Sequence, residues 1–335
     1  LPVHFAGHCR AAVGGMRVLV TGGTGFVGGH VVGALLAAGV TVRLLVRDER
    51  RAVRWADRVE RVRGDLTDPA TLRPALAEVE AVVHLAALTW APHPEALWRT
   101  NAEGTRRLAE LAAEQGVRRV VYLSSYAAAG PAPPGGVRRL ADPPAPVSAY
   151  GRSKLAGERA LAEVARATGM EAVTLRAPAM YGPGDRALLP LFRLVRRGWA
   201  PYPAGERRLQ LLFVGDGAAA LVRALAAPAG TYPLAGPEIV TWPQALAAMA
   251  EALGVRARRV PVPPVALRTL GRLRPLLRPW LGPQVPFDRD KAEEMLASWV
   301  ADPAEAAPVL PPATVTPLRQ GLAATVEAYR NEGWL

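Results

Sequence analysis

Cysteine is almost absent from this chain. Cys9 stands alone among 335 residues, which excludes an internal disulfide framework and suits a reducing cytoplasm. Lysine is nearly as scarce: Lys154 and Lys291 are the only lysines among 41 basic residues. No apolar run reaches the ~18 residues of a membrane-spanning helix, so no integral membrane segment is expected. The five histidines, His4, His8, His30, His84 and His93, lack the grouping of a metal site. Residues 1–15 lack the basic start and continuous apolar core of a signal peptide. They read as an upstream extension with no packing role rather than as a metal-binding tail of His4, His8 and Cys9. Internal repeats are missing too.

The net charge of +12 comes mostly from arginine. The arginines are scattered, in pairs such as Arg118-Arg119 and Arg138-Arg139, without a long block. This is the pattern of a solvated enzyme surface, not of a nucleic-acid binder.

What is present begins at Arg17. Val18 to Val20 read as a buried strand, followed by Thr21-Gly22-Gly23-Thr24-Gly25-Phe26-Val27-Gly28. Phe26 to Ala38 reads as a helix stopped by Gly39, and Thr41 to Val46 as a second strand. Gly23, Gly25 and Gly28 give G-x-G-x-x-G in a strand–turn–helix–strand context, which points to dinucleotide binding. Glycines let backbone N–H groups approach a pyrophosphate, and the helix supplies the positive end of its dipole.

Strands then alternate with helices. Strands are expected at Val59 to Val62, Ala81 to Leu85, Val120 to Leu123 and Ala172 to Leu175. Helices are expected from Pro69 behind an Asp68 cap, from about Asn101 to Gln115, and from Tyr150 to Thr168 before Gly169. This alternation predicts a doubly wound α/β sheet over residues 16–178. Residues 179–335 read mainly as a smaller substrate-binding domain, with about 211–235 returning to the sheet. Its final helix is expected behind a Thr316 cap. The proline-broken basic stretch from Pro263 to Pro286 reads as helices packed on the sheet domain, with a substrate lid or a membrane-touching segment as alternatives.

Tyr150 and Lys154 lie four apart at a helix start, on one face. An ammonium near a phenol favours the phenolate, so Lys154 is expected to pull the Tyr150 pKa down and make Tyr150 a general acid/base. Ser125 follows the fifth strand, where a parallel sheet presents residues to its crevice. Its hydroxyl either holds a substrate oxygen or caps a turn, and Ser124 serves the strand end.

Taken in order, these pieces resemble the extended short-chain dehydrogenase/reductases, the NAD-dependent epimerase/dehydratase family. The matching segments are Thr21 to Gly28, Gly64-Asp65-Leu66, His84-Leu85-Ala86-Ala87, Asn101 with Gly104-Thr105, Ser124-Ser125, Tyr150 through Lys154, and Leu175 to Pro178 leading to Tyr181-Gly182-Pro183. The resemblance implies a Rossmann domain with a C-terminal substrate domain. It implies Tyr150 as acid/base, Lys154 on the nicotinamide ribose, Ser125 orienting the reacting oxygen, and Asn101 supporting the site through its helix. It implies a cofactor groove formed by Gly22, Thr24, Gly25, Phe26, Val27, Gly28, Arg47, Asp65, Leu66, Leu85, Ala86, Ala87 and Pro178, with Asp65 at the adenine.

Two departures from the family pattern bear on chemistry. Ala179 stands where sugar-nucleotide epimerases similar to this carry a substrate-holding Asn. Val46 stands where NAD-preferring members carry Asp, and Arg47 follows. Val42 to Asp48 resembles the dihydroflavonol-reductase-like branch, so NADP is the expected cofactor, with NAD kept open by Asp48. The leading reading is an oxidoreductase moving hydride at a secondary alcohol or ketone carbon of a small molecule. The alternatives are a nucleotide-sugar epimerase or dehydratase, and a non-catalytic NAD(P)-binding scaffold. Pairing through the helices at 101–115 and 150–166 would make a homodimer.

Overall fold

The computed structural model describes residues 12–55, 57–281 and 287–335. His4, His8 and Cys9 lie outside the described residues.

The first half of the chain alternates strand and helix as its pattern predicts. Strand β1 (Arg17–Thr21) leads through the glycine turn into α1 (Phe26–Ala37), then β2 (Thr41–Val46) and β3 (Glu60–Arg63). Helix α2 (Pro69–Leu76) begins behind Asp68, whose carboxylate accepts the Ala70 N–H at 3.1 Å. Strand β4 (Ala81–His84) is followed by α3 (Pro94–Trp98), a π-helical segment at Arg99–Glu103, and α4 (Gly104–Glu114). This helical stretch starts seven residues before the expected Asn101, because Pro94 sits at its first position. Strand β5 (Arg119–Ser125) runs into a single turn, α5 (Tyr126–Ala129). Helix α6 (Ala149–Thr168) is capped by the Ser148 hydroxyl and ends at Gly169, φ +76°. Then comes β6 (Glu171–Ala177).

The second half contains β7 (Ala179–Tyr181), α7 (Leu189–Arg196), β8 (Trp199–Pro203), β9 (Arg208–Leu209), β10 (Leu211–Phe213) and α8 (Val214–Arg223). It continues with β11 (Gly230–Pro233), β12 (Val240–Thr241), α9 (Trp242–Leu253), β13 (Arg258–Val262), α10 (Pro264–Leu281), α11 (Arg289–Met295) and α12 (Leu318–Asn331).

Seven parallel strands form the main sheet in the order β11-β6-β5-β4-β1-β2-β3. Side chains alternate across a strand, so the continuous apolar runs feed two cores at once. Val18, Val20, Val42 and Leu44 pack with Val31, Val32 and Leu35 of α1 and with Leu221 of α8. Leu19, Val82, Val120 and Tyr122 face the opposite layer, with Leu72 of α2, Leu108 of α4 and Leu161 of α6. Each such side chain contributes about 1.5–3 kcal/mol on burial. A third cluster joins Phe192, Leu246, Met249, Leu322 and Tyr329 from α7, α9 and α12.

Three expectations need correction. Residues 12–15 belong to the fold: Val13 is only 1% exposed within the core. The Gly15 N–H also donates to the Gly39 carbonyl at 2.9 Å. Thr316 does not cap the last helix. Its N–H and hydroxyl both donate to Asp216 at 2.7 and 2.9 Å, which ties the entry of α12 to the first turn of α8. Finally, residues 264–281 form one helix, through Pro275 and Pro279, where several were expected, and its described side chains pack on α11. Residues 282–286 of that stretch lie outside the described residues.

Candidate active site

The carboxyl ends of β1, β4, β5 and β6 share one edge of the sheet, and the sequence-predicted groups gather there. The turn after β1 is cut for a close approach. Gly22 adopts φ +72°, and a Cβ on it would lie 2.7 Å from the Ala86 nitrogen. A Cβ on Gly28 would overlap the Gly22 carbonyl oxygen, so only glycine lets α1 seat against the turn. Gly25 is exposed at the N-cap of α1, with Thr24, Phe26 and Val27 half-buried beside it. The first turn of α1 contains no acidic residue, which leaves its positive end available to a phosphate.

The segment after β4 forms the facing wall, and it is pinned residue by residue. Leu85 N–H donates to the Thr21 carbonyl at 3.2 Å, and Ala86 N–H to the Thr21 hydroxyl at 3.2 Å. Ala87 is half-buried beside them. Both the N–H and the carbonyl of Leu88 bond the Asn101 carboxamide at 2.8 Å. Asn101 also donates to the Ser153 hydroxyl at 2.9 Å, and Ser153 donates to the Tyr150 carbonyl at 2.8 Å. The Asn101 side chain therefore links the β4 loop to α6 from a π-helical turn, a distortion frequent at functional sites.

Behind this wall runs a buried chain of hydrogen bonds. Thr105 donates to the Asn101 carbonyl at 2.7 Å, so it accepts from His84 Nε2 at 3.0 Å. His84 Nδ1 then accepts from Thr21 at 2.7 Å. Burial pushes the His84 pKa down to about 3, with Lys154 adding to the effect, so the ring is neutral.

Farther along the same edge, Arg47 and Asp48 are exposed just past β2. Asp48 accepts the Arg50 N–H at 3.0 Å and is committed to its own turn. Asp65 follows β3. Burial works against its ionisation, but hydrogen bonds from Thr67 and the Arg47 guanidinium prevail and hold it below the usual carboxylate range. Arg47 and Asp65 are thus near neighbours. Leu66 is buried against Gly104 at the start of α4, and Pro178 is buried between β6 and β7.

At the centre, Ser125 is the last residue of β5, and its hydroxyl lies beside the Tyr150 phenol and favours its ionised form. The same oxygen accepts the Ala127 N–H at 3.2 Å and so caps the turn that follows β5. Burial lifts the Tyr150 pKa to about 12, the Ser125 hydroxyl opposes the rise, and the Glu294 carboxylate of α11 adds to it. Lys154 does not produce the expected phenolate. Its Nζ donates to the Leu123 carbonyl at 2.7 Å and lies 4.1 Å from the centre of the Tyr122 ring. Tyr122 also stacks on His84, with ring centroids 5.2 Å apart. Burial drops the Lys154 pKa to about 7, against the opposing pull of Glu158.

Glu158 carries no motif that marks it in the sequence, although it falls four residues past Lys154 on the same helical face. It accepts from Ser124 at 2.5 Å and from Arg176 Nη2 at 2.7 Å, inside the protein. The contacts of α11 with the site are equally absent from sequence reasoning. Trp90 Nε1 donates to Asp288 at 3.0 Å, and Ala149 N–H donates to Asp290 at 2.5 Å. No local pattern announces these, since the partners are 198 and 141 residues apart. Among the described residues no cluster of His, Cys, Asp or Glu could hold a metal ion.

A glycine cradle at the switch point of a doubly wound sheet, with Tyr150 and Lys154 beyond it, defines a Rossmann enzyme that uses a nicotinamide dinucleotide. Comparison with known proteins makes the class specific. Residues 18–234 match the profile of the NAD dependent epimerase/dehydratase family, and the chain belongs to that family. A Caulobacter vibrioides protein named ceramide reductase is 33% identical over 324 residues, spanning 95% of this chain and 96% of its own. A Synechocystis protein named putative dihydroflavonol 4-reductase is 31% identical over 334 residues, spanning 94% of this chain and 95% of its own. The NAD complex of a Thermus thermophilus UDP-glucose 4-epimerase superposes with a TM-score of 0.75 at 27% identity, covering 94% of this chain and 99% of that one. The protein is an NAD(P)-dependent enzyme of the oxidoreductase/epimerase class, and the scaffold alternative falls.

Proposed function

We propose that this protein is an NADPH-dependent reductase of a ketone carried on a largely apolar small molecule. The observation that carries the reading is the Ser125–Tyr150 hydroxyl pair at the end of β5, with the Tyr150 proton held up to a pKa of about 12. A phenol that keeps its proton is the acid that ketone reduction needs.

The residues present fit a nicotinamide dinucleotide, because a side chain at Gly22 would fill the space between the turn and the Leu85–Ala86 wall. When bound, that cofactor supplies or accepts the hydride. Gly22 to Gly28 and the first turn of α1 hold the pyrophosphate. Asp65 and Leu66 bound the adenine, and Arg47 pairs with a 2′-phosphate. Asp48 is occupied by the Arg50 N–H and Val46 offers no carboxylate, which favours NADP over NAD. Leu85, Ala86, Ala87 and Pro178 line the groove. Lys154 holds the nicotinamide ribose from its Leu123 anchor. Ser125 orients the reacting oxygen, and Tyr150 delivers the proton to it. Asn101 keeps the β4 loop and α6 in register.

The apolar substrate is supported by Ala179, where an amide side chain would hold a nucleotide sugar. It is also supported by the end-to-end similarity to a protein named ceramide reductase. Residues 179–335 mainly supply the substrate wall. We place the enzyme in the reducing cytoplasm on its single cysteine. A homodimer through α4 and α6 accounts for half-exposed Trp98 beside those helices.

The test is NADPH oxidation with a panel of long-chain ketones and with UDP-sugars. Steady consumption with a ketone supports the reading. Interconversion of UDP-sugars without net NADPH loss overturns it.

A further inference from the structure

Over residues 264–273, helix α10 turns one face inward and leaves another bare. Leu267 is buried with Ala292 and Leu296, flanked by Val262 and Phe287. One turn on, Gly271 presses its backbone on Asp288, whose carbonyl oxygen would be 2.8 Å from any Cβ there. On other faces of the helix, Val265, Leu270 and Leu273 are 72%, 43% and 44% exposed. They are half of the six large exposed hydrophobic residues found among the described residues, and they fall within nine positions of one helix. Ala266 and Thr269 are exposed beside them.

The charged residues of α10 whose side chains are described, Arg268 and Arg272, are both basic. Residues 263–286 contain Arg268, Arg272, Arg274 and Arg278 and no acidic residue. Arg268 is paired with Glu293 of α11 at 2.9 Å, and Arg272 is exposed. No helix among the described residues is long and apolar enough to cross a membrane. An apolar face bordered by arginine is instead the composition of a helix that lies in a bilayer interface.

The position of α10 gives the face a purpose. It packs on α11, and α11 packs on the catalytic edge. Asp288 receives Trp90, Asp290 receives the Ala149 N–H, and the Glu294 carboxylate acts on the Tyr150 phenol. Helix α11 therefore links α10 to the Ser125–Tyr150 pair.

We propose that α10 is a docking surface for an anionic phospholipid bilayer, held there by Val265, Leu270 and Leu273 in the interface and by Arg272 at the headgroups. The further step, that the enzyme takes its ketone from the bilayer, rests on the apolar substrate proposed above. A second copy of the chain is a poorer occupant. A two-fold contact sets the same patch against itself and brings arginine to face arginine.

The test is co-sedimentation of the full chain with vesicles, without substrate or cofactor. The protein is expected to pellet with phosphatidylcholine–phosphatidylglycerol vesicles and not with phosphatidylcholine alone, and salt should release it. Arg272→Glu and the double variant Leu270→Glu/Leu273→Glu should each lower partitioning by at least about fivefold. Both variants should retain the wild-type melting temperature and NADPH affinity. If the double variant does not fold, Arg272→Glu alone carries the test. Absence of wild-type binding to anionic vesicles overturns the proposal, as does binding that neither variant weakens. A dimer that Leu270→Glu/Leu273→Glu splits, without vesicle binding, overturns it in favour of a second copy. An acidic protein partner that competes the chain off vesicles leaves lipid binding standing, whereas partner binding without vesicle binding overturns it. Failure of the ketone-reductase reading is seen separately, as interconversion of UDP-sugars without net NADPH loss.

Discussion

Lys154 Nζ is bound to the Leu123 carbonyl oxygen at 2.7 Å, one residue short of the two serines that end β5. The ammonium is thereby fixed to the sheet, above the Tyr122 ring, and its charge does not dominate the Tyr150 phenol. The two residues share a helical face but have separate electrostatic environments, and this shapes the predictions.

Tyr150→Phe keeps the ring and removes the proton. Ketone reduction should fall by about 10²–10⁴-fold, the usual contribution of a positioned acid. NADPH affinity, measured by fluorescence titration, should stay near wild type because the glycine turn is untouched. The reverse reaction, alcohol oxidation, needs the phenolate, so its rate should climb with pH toward the Tyr150 pKa of about 12. A flat oxidation profile would remove Tyr150 from the mechanism.

Lys154 should make cofactor binding pH-dependent. Its ammonium is present below about 7 and is lost as pH rises through that value. NADPH affinity should therefore decline on the alkaline side of 7, and Lys154→Met should be weaker below 7, insensitive to pH, and closest to wild type at alkaline pH. Titrations of both proteins across neutrality decide the point.

Arg47→Ala should cost NADPH about ten- to a hundredfold in affinity, the worth of one charge-assisted hydrogen bond of roughly 1.5–3 kcal/mol. NADH affinity should hardly change. Tighter NADH than NADPH binding by the wild-type protein would defeat the cofactor assignment.

His84 should make the fold acid-sensitive. Its pKa in the folded protein is about 3, against 6.5 for an ordinary histidine. Between those values the unfolded chain binds the extra proton, so stability falls as pH drops through that window. The slope is about 1.4 kcal/mol per pH unit for one proton. Urea midpoints of wild type and His84→Gln on both sides of 6.5 should show the variant with the shallower dependence.

Removal of residues 1–15 should lower the melting temperature, since Val13 is 1% exposed in the core. The same truncation ending at residue 11 tests whether the loss comes from residues 12–15. Equal stability of the two truncated proteins would show that Val13 contributes nothing.

The sequence by itself determined the local elements and their order. Val18 to Val20, the glycines of 22–28 and the Thr41–Val46 strand are each specified by neighbours a few residues away, through alternation, backbone permissiveness and propensity. Tyr150 and Lys154 were legible for the same reason, because helical spacing fixes which residues share a face. Only the tertiary structure decided what surrounds them. Whether a phenol or an ammonium keeps its proton depends on desolvation and on charges brought from distant segments, here Leu123, Ser125 and Glu294. Spacing along the chain contains no such information, so the lysine expected to draw a proton off Tyr150 is found anchored to β5 instead. The packing of α10 on α11, and of α11 on Trp90 and Ala149, was likewise decided by long-range contacts.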